Sequence, residues 1–310
     1  MTSPPQALKG NYSVQEIDLS FCLLGNDAMQ VITKGMEPQL LRLKIPGNGL
    51  GASGGAILGA NLAACHHLSF LDLSHNSLGQ KGCLALVEGL KFCTWLTFLA
   101  LANNGIGAGG AQGMKESLKT LTKLVDLDVA FNGLKDPGVE QIAALIQDGR
   151  LNQLQTLKLQ GNGIGDKGTQ VLAKALAKTC PKLQMVDLRR NTIKEKGAIG
   201  LGKLLYKVVS LDEVYLQQNL IPDQGKEALD NALLDSATFG IKNYDSLNFA
   251  QKMSAKKEAA AKRHIHLKYN NLHKESLSEK LQFKDKKDIK FCKKRSFMVE
   301  VGVSHLPLIG

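Results

Sequence analysis

A phrase of fifteen residues, LSFLDLSHNSLGQKG from Leu68 to Gly82, recurs in altered form along most of the chain. Aligned on the spacing L-x-x-L-x-L-x-x-N-x-L, eight copies begin at Val14, Leu40, Leu68, Leu96, Leu124, Leu154, Leu183 and Leu211, from 26 to 30 residues apart. A unit this short cannot bury its own apolar face, so the period demands a solenoid in which neighbouring units share one core. Seven copies carry an asparagine at the ladder position, Asn48, Asn76, Asn104, Asn132, Asn162, Asn191 and Asn219, and the first carries Cys22. Six residues further on stands Gly54, Gly82, Gly110, Gly138, Gly168, Gly197 or Gly225, with Ala28 in the first copy.

Each unit opens on an alternating run such as Leu71-Asp72-Leu73, which predicts a short strand with its leucines on one face. The ladder Asn then turns the chain, and its amide is expected to satisfy backbone groups that the turn leaves unpaired. A helix follows. Asp136-Pro137 predicts an N-cap with proline at the first helical position, and Asp166 and Asp223 fit the same role. The small residue after them lets the start of the helix lie close to the neighbouring coil. Val171, Leu172, Ala175 and Leu176, at helical spacing, then face the strand leucines. Parallel strands sit about 4.8 Å apart, whereas packed helices need roughly 8 to 10 Å. The stack must therefore curve, with strands inside and helices outside. The predicted class is α/β, a right-handed solenoid with an inner parallel sheet. Its eight units span 14–236, after a disordered lead at 1–13 with no apolar signal core. An insertion or linker helix at 237–263 precedes a degenerate ninth unit and a basic C-terminal cap or tail at 264–310.

The pattern resembles the ribonuclease-inhibitor-like class of leucine-rich repeat proteins, over about Val14 to Ser236. The resemblance implies a horseshoe. It leaves function wide, because the class includes ribonuclease inhibitor, the GTPase-activating protein of Ran, tropomodulin and many ciliary proteins. The Ran regulator uses an arginine on an early loop. Here the loops between Cys22 and Leu40, Asn48 and Leu68, and Asn76 and Leu96 contain no arginine.

If the strands line a concave surface, the residues flanking the buried leucines point at whatever lies inside. The middle units then present an aromatic pair, Phe70 and Phe98, beside the acidic set Asp72, Asp126 and Asp128. Later units add Lys158, Asp187, Arg189 and Tyr215. Aromatic anchors with a charged rim characterise protein interfaces, so this face is expected to bind a basic, partly apolar segment of another protein. The alternative is a solvated wall on which the phenylalanines shield one another. Trp95, just before the fourth strand, is either a second contact or packed on a neighbouring loop.

The formal net charge of +11 is uneven: sixteen Lys and Arg against seven Asp and Glu follow Ser236, so most of the excess belongs to that end. HIHLKYNNL, with Ile265, Leu267, Asn270 and Leu272, repeats half of the unit signature and predicts a ninth strand. Beyond it, Lys286, Lys287, Lys290, Lys293, Lys294 and Arg295 make a basic run, and FMVEVGV alternates as an edge strand would. This end either caps the last coil, adds to a partner's sheet, or meets an acidic surface such as tubulin tails or another polyanion. A simple solvated face is the plainer alternative.

Of six cysteines, Cys22, Cys65, Cys83, Cys93 and Cys180 occupy places set by the repeat, where a thiol serves as a small apolar group. They are expected to be buried and free, which places the chain in a reducing compartment. No apolar run is long enough to span a membrane. The seven histidines show no metal-ligand spacing, and the glycines follow the repeat without forming a phosphate-cradling loop. No catalytic residue, metal, cofactor or small-molecule substrate is indicated. The expected function is a non-enzymatic interaction scaffold in the cytoplasm, as a structural component of a ciliary or other microtubule assembly. The competing readings are a Ran-type GTPase-activating protein and an inhibitor that wraps a basic enzyme.

Overall fold

The computed structural model describes residues 13–33, 36–208, 210–238 and 266–268. Residues 1–12 of the lead, the segment 239–265, Asn270, the basic run from Lys286 to Arg295 and the FMVEVGV stretch lie outside these residues.

Strands of three residues alternate with helices: β1 (Glu16–Asp18), α1 (Gly25–Thr33), β2 (Arg42–Lys44), α2 (Ala52–Leu62), β3 (Phe70–Asp72), α3 (Gly79–Leu90), β4 (Phe98–Ala100), α4 (Gly107–Leu118), β5 (Asp126–Asp128), α5 (Lys135–Gln147), β6 (Thr156–Lys158), α6 (Asp166–Thr179), β7 (Met185–Asp187), α7 (Glu195–Lys207), β8 (Glu213–Tyr215) and α8 (Asp223–Thr238). A further strand, β9 (His266–Lys268), lies beside β8 in parallel, with Leu267 opposite Val214. All strands form one parallel sheet in chain order. The register is uniform: Leu43, Leu71, Leu99, Leu127 and Leu157 stand directly opposite one another on successive strands. These leucines are fully buried, and so are Leu172, Ala175 and Leu176 of α6, while Val171 packs at the margin. The core is one continuous cluster from Ile17 to Leu229. Strand centre and helix face thus share the spine that the repeat requires.

The ladder asparagines carry the turns. Asn132 Nδ2 donates to the carbonyls of Leu101, Val129 and Ala130 at 2.9, 3.1 and 3.1 Å. Its Oδ1 accepts the N–H groups of Asn104 and Ile106 at 2.9 and 3.4 Å. One buried amide therefore satisfies five groups across two coils, where a buried unpaired backbone group would be costly. Cys22 departs from the expectation of burial: it is exposed, because no described coil covers the outer side of the first unit. Cys65, Cys83, Cys93 and Cys180 are buried and free.

The helix caps correct the sequence reading. Asp136 and Asp166 already lie inside the first turns of α5 and α6, and neither helix has a side-chain cap of its own. They serve the next unit instead. Asp136 Oδ1 accepts the N–H of Gly165 at 2.6 Å. Asp166 Oδ1 accepts those of Lys194 and Gly197, both at 2.8 Å, and Asn26 does the same for Gly51 and Gly54 at 2.9 and 2.8 Å. Each side chain covers orphan donors at the start of the following helix. This accounts for part of the glycine period, since at Gly110, Gly138 and Gly225 a Cβ would instead meet Ile106, Leu134 and Ile221 of the same unit. A Cβ at Gly54, Gly168 or Gly197 would stand 2.6 Å from the capping oxygen, and at Gly82 it would stand 2.9 Å from Ala52 Cα. The close approach of coils expected from sequence holds at Gly82, while at Gly54, Gly168 and Gly197 it is the borrowed cap that excludes a side chain. Asp223 Oδ1 pairs with Lys226 Nζ at 2.9 Å.

Candidate functional site

On the sheet face, side chains at equivalent strand positions form rows perpendicular to the strands. The first row runs Glu16, Arg42, Phe70, Phe98, Asp126, Thr156, Met185, Glu213, in register throughout. Parallel strands about 4.8 Å apart bring equal positions to the stacking distance of aromatic rings. Phe70 and Phe98 accordingly lie flat on one another, centroids 4.1 Å apart and planes 2° from parallel. Both are half-buried. The Arg42 guanidinium covers the other face of Phe70 at 4.1 Å and reaches Glu16 at 3.5 Å. Lys44 pairs with Glu16 at 2.8 Å and Asp18 at 3.4 Å. Hydrogen bonds from Lys44 hold the Glu16 carboxyl below its ordinary value, and the Ser20 hydroxyl does most to lower that of Asp18. The first two units are thus neutralised among themselves.

The acidic residues singled out from sequence are divided between the rows: Asp126 stands in the first, and Asp72, Asp128 and Asp187 in the second. Asp72, Asp128 and Asp187 each use Oδ1 to accept the N–H two residues on, from Ser74, Ala130 and Arg189 at 2.9, 3.0 and 3.1 Å. They shape the turn at the end of the strand. Asp128 is largely buried, and burial raises its carboxyl above the ordinary range, against the pull of the Ala130 N–H and of Lys158 at 3.6 Å. Asp187, 2% exposed, holds Arg189 through both oxygens, with Nε at 3.0 Å from each. Arg189 in turn lies 5.1 Å from the Tyr215 ring, whose hydroxyl donates to Glu213. Lys158, Asp187, Arg189 and Tyr215 are therefore tied to neighbours, and Asp72 and Asp128 are partly committed. Asp126 differs: among the described residues its carboxylate has no ion pair or side-chain hydrogen bond. The structure brings Phe70, Phe98 and Asp126 together on adjacent strands.

Another row, along one rim, was not anticipated from sequence. The residue before the ladder position adopts the left-handed conformation, with φ of 53–60° at Phe21, His75, Asn103, Phe131, Arg190 and Gln218. Glycines fill the same place at Gly47 and Gly161. The Phe21 ring lies where a Cβ on Gly47 would be, and Phe131 does likewise at Gly161. Past that glycine, Arg190 faces the Phe131 ring at 6.0 Å and donates through Nε to Gln218 at 2.6 Å. Phe131, Arg189, Arg190 and three glutamines border an open depression of about 430 Å³. The readable signal is a phenylalanine before one ladder residue and a glycine before the next. Trp95, 53% exposed, lies against Lys123 of the following unit, with Nζ 2.9 Å from the ring centroid.

Among the described residues, no three His, Cys, Asp or Glu side chains are placed to hold a metal, and no helix is long and apolar enough to cross a membrane.

Residues 64–87, 92–114, 120–143 and 151–173 match the family described as Leucine Rich repeat. Comparison with curated proteins returned no match. Similar solved structures include a chain of the Rad7 and Elc1 complex in yeast, at 17% identity and a TM-score of 0.41, covering 70% of this chain. This chain spans 60% of the yeast chain's length. Another is an internalin from Listeria monocytogenes, at 16% identity and a TM-score of 0.36, covering 64% of this chain and 67% of that one.

Proposed function

We propose that this chain, a leucine-rich repeat protein in its sequence and in its stacked strand-helix units, is a scaffold that grips a protein partner on the sheet face around Phe70 and Phe98. The observation that carries the proposal is the ring stack itself. Two half-buried phenylalanines, with Ala100 beside them, sit between charged residues, Arg42 and Asp126 along the row and Asp72 and Asp128 in the next, and such an apolar centre within a charged surround is how interface hot spots are built. The uncommitted carboxylate of Asp126 beside the rings gives the patch a preference for a basic, partly apolar segment. Asp126 being the carboxylate in this patch whose oxygens have no ion pair or hydrogen bond among the described residues favours a local anchor over the wrapping of a whole basic enzyme. The absence of arginine from the first three loops speaks against Ran-type GTPase activation.

The setting we propose is the cytoplasm, at a ciliary or other microtubule assembly. The buried free thiols support a reducing compartment. The basic run from Lys286 to Arg295 supports a second attachment to tubulin tails or another polyanion. Microtubule pelleting tests that attachment: binding should vanish when the tubulin tails are stripped, and unchanged pelleting would refute it.

The principal test places a photo-crosslinking phenylalanine at position 98, or at exposed Lys174 on the helix side, in the native cell. A discrete protein adduct is expected from position 98 alone, and Phe70→Ala with Asp126→Asn should abolish it while leaving the urea midpoint within error. The same adducts from both positions would remove the sheet face as the working surface.

A further inference from the structure

The first row of the sheet face contains one arrangement in full and a second copy that lacks its middle member. From the ring pair towards the N-terminus come the Phe70 face, the Arg42 guanidinium at 4.1 Å and the Glu16 carboxylate 3.5 Å from Arg42 Nε. From the ring pair in the other direction come the Phe98 face and then Asp126, its direct partner on β5. Because the rings are within 2° of parallel, the face of Phe98 turned away from Phe70 is directed over the strand that carries Asp126. The aspartate side chain has a single methylene, so its carboxylate ends well below the level of the neighbouring ring. Thr156, the next residue in the row, is equally short. The space beside Phe98 and above Asp126 is therefore bounded by an aromatic face and a carboxylate with no described partner.

Resting on the reading of this face as the partner-binding surface, we propose that this slot takes an arginine side chain of the partner protein, its guanidinium flat on Phe98 and its N–H groups on Asp126. The chain supplies its own precedent for the chemistry. On the Phe70 side, Arg42 lies on the ring at 4.1 Å while the ammonium of Lys44, also within reach, stays 5.8 Å away and pairs with carboxylates. A planar guanidinium stacks on a ring and donates sideways to a carboxylate at once. A lysine ammonium, compact and strongly hydrated, has no plane to lay on a ring: Lys91 pairs with Glu88 at 2.8 Å and keeps its Nζ 5.3 Å from the Phe92 centroid. The slot thus selects for shape as well as charge.

The test is an NMR titration of the full chain, labelled at phenylalanine rings and aspartate carboxyls, with capped arginine, capped lysine and capped citrulline, the last being a planar neutral analogue. Arginine should shift the Phe98 ring and Asp126 carboxyl signals saturably and bind roughly tenfold more tightly than lysine, since only its planar head lies flat on the ring while donating sideways to the carboxylate. Citrulline should give no saturable shift. Asp126→Asn should weaken arginine by about fivefold or more, whereas Asp212→Asn, exposed just before β8 and remote from Phe98 along the sheet, should change nothing. Absence of a saturable shift, equal affinity for lysine, or indifference to Asp126→Asn would each overturn the proposal. If arginine fails while the crosslink from position 98 persists, the slot is wrong and the binding face stands. If the crosslink fails too, both fall.

Discussion

Asp166 Oδ1 accepts the backbone N–H of Gly197 at 2.8 Å, and it stands only 2.6 Å from where a Cβ on Gly197 would lie. One atom caps the helix of the next unit and forbids it a side chain. Gly197→Ala is expected to cost about 1 to 3 kcal/mol through this overpacking. Asp166→Ala is expected to cost about 1 kcal/mol as a lost cap. The double variant should cost less than the sum, because removing the carboxylate opens room for the methyl. Residual strain against Ile193 Cγ2, 2.7 Å from the same point, keeps the relief partial. Urea denaturation of the four proteins gives the coupling; strict additivity would refute the shared-atom account.

Asn132→Ala removes an amide that meets five backbone groups in the interior. Alanine fills none of these roles, and several donors and acceptors would be left unpaired, for a loss of about 4 kcal/mol. A fall of under about 1 kcal/mol in urea melts would show that water repairs the turn.

The buried thiols set an alkaline limit. Burial is the main cause that lifts Cys65 and Cys180 to about 11 and Cys83 and Cys93 to about 12, from an ordinary value of 9.0. Above that ordinary value the unfolded chain sheds these protons while the folded chain keeps them. The stabilising contribution is therefore complete below pH 9.0 and disappears as pH climbs towards the folded values. Each thiol adds a slope of up to about 1.4 kcal/mol per pH unit in that window. Cys83→Ala should flatten the decline in urea midpoint between pH 9.0 and about 12, roughly by one thiol's share. In the native protein at neutral pH, alkylation followed by mass spectrometry should mark Cys22 well before the four buried thiols.

Two aspartates of the same row, Asp128 and Asp187 on either side of Lys158, should respond differently to the same change. Burial raises the Asp128 carboxyl above its ordinary value of 3.8, so its ionisation opposes folding at neutral pH and its contribution is best below that value. Asp128→Asn keeps an oxygen for the Ala130 N–H and should leave stability at pH 7 unchanged or slightly raised. Asp187→Asn breaks the two-pronged hold on Arg189 and should cost about 2 kcal/mol, less than a fully buried pair because Arg189 retains contact with water. Equal losses in thermal melts at pH 7 would contradict the assignment.

The strand centres, the ladder asparagines and the helix faces were legible because each depends on a spacing within one unit. The caps were misread for the opposite reason. A sequence shows Asp136 at the head of a helix, but only the stacking of coils shows that the nearest orphan N–H belongs to Gly165 in the next unit. The same holds for the acidic set on the sheet face. Asp72, Asp126 and Asp128 look alike as letters, yet Asp72 and Asp128 point into turns while Asp126 does not. The rim row is only partly legible: Phe131 before one ladder residue and Gly161 before the next mark the packed ring, whereas the left-handed backbone of Arg190 has no mark in residue type.

The sequence by itself determined that apolar positions recur with a period too short for a closed core, and from this the shared spine, the parallel sheet and the direction of each strand side chain follow. What only the tertiary structure decided is which of those side chains are already occupied by the unit beside them. Occupancy depends on distances between residues a whole unit apart in the chain, where roughly an ångström separates a capped helix from a clash and a paired carboxylate from a free one.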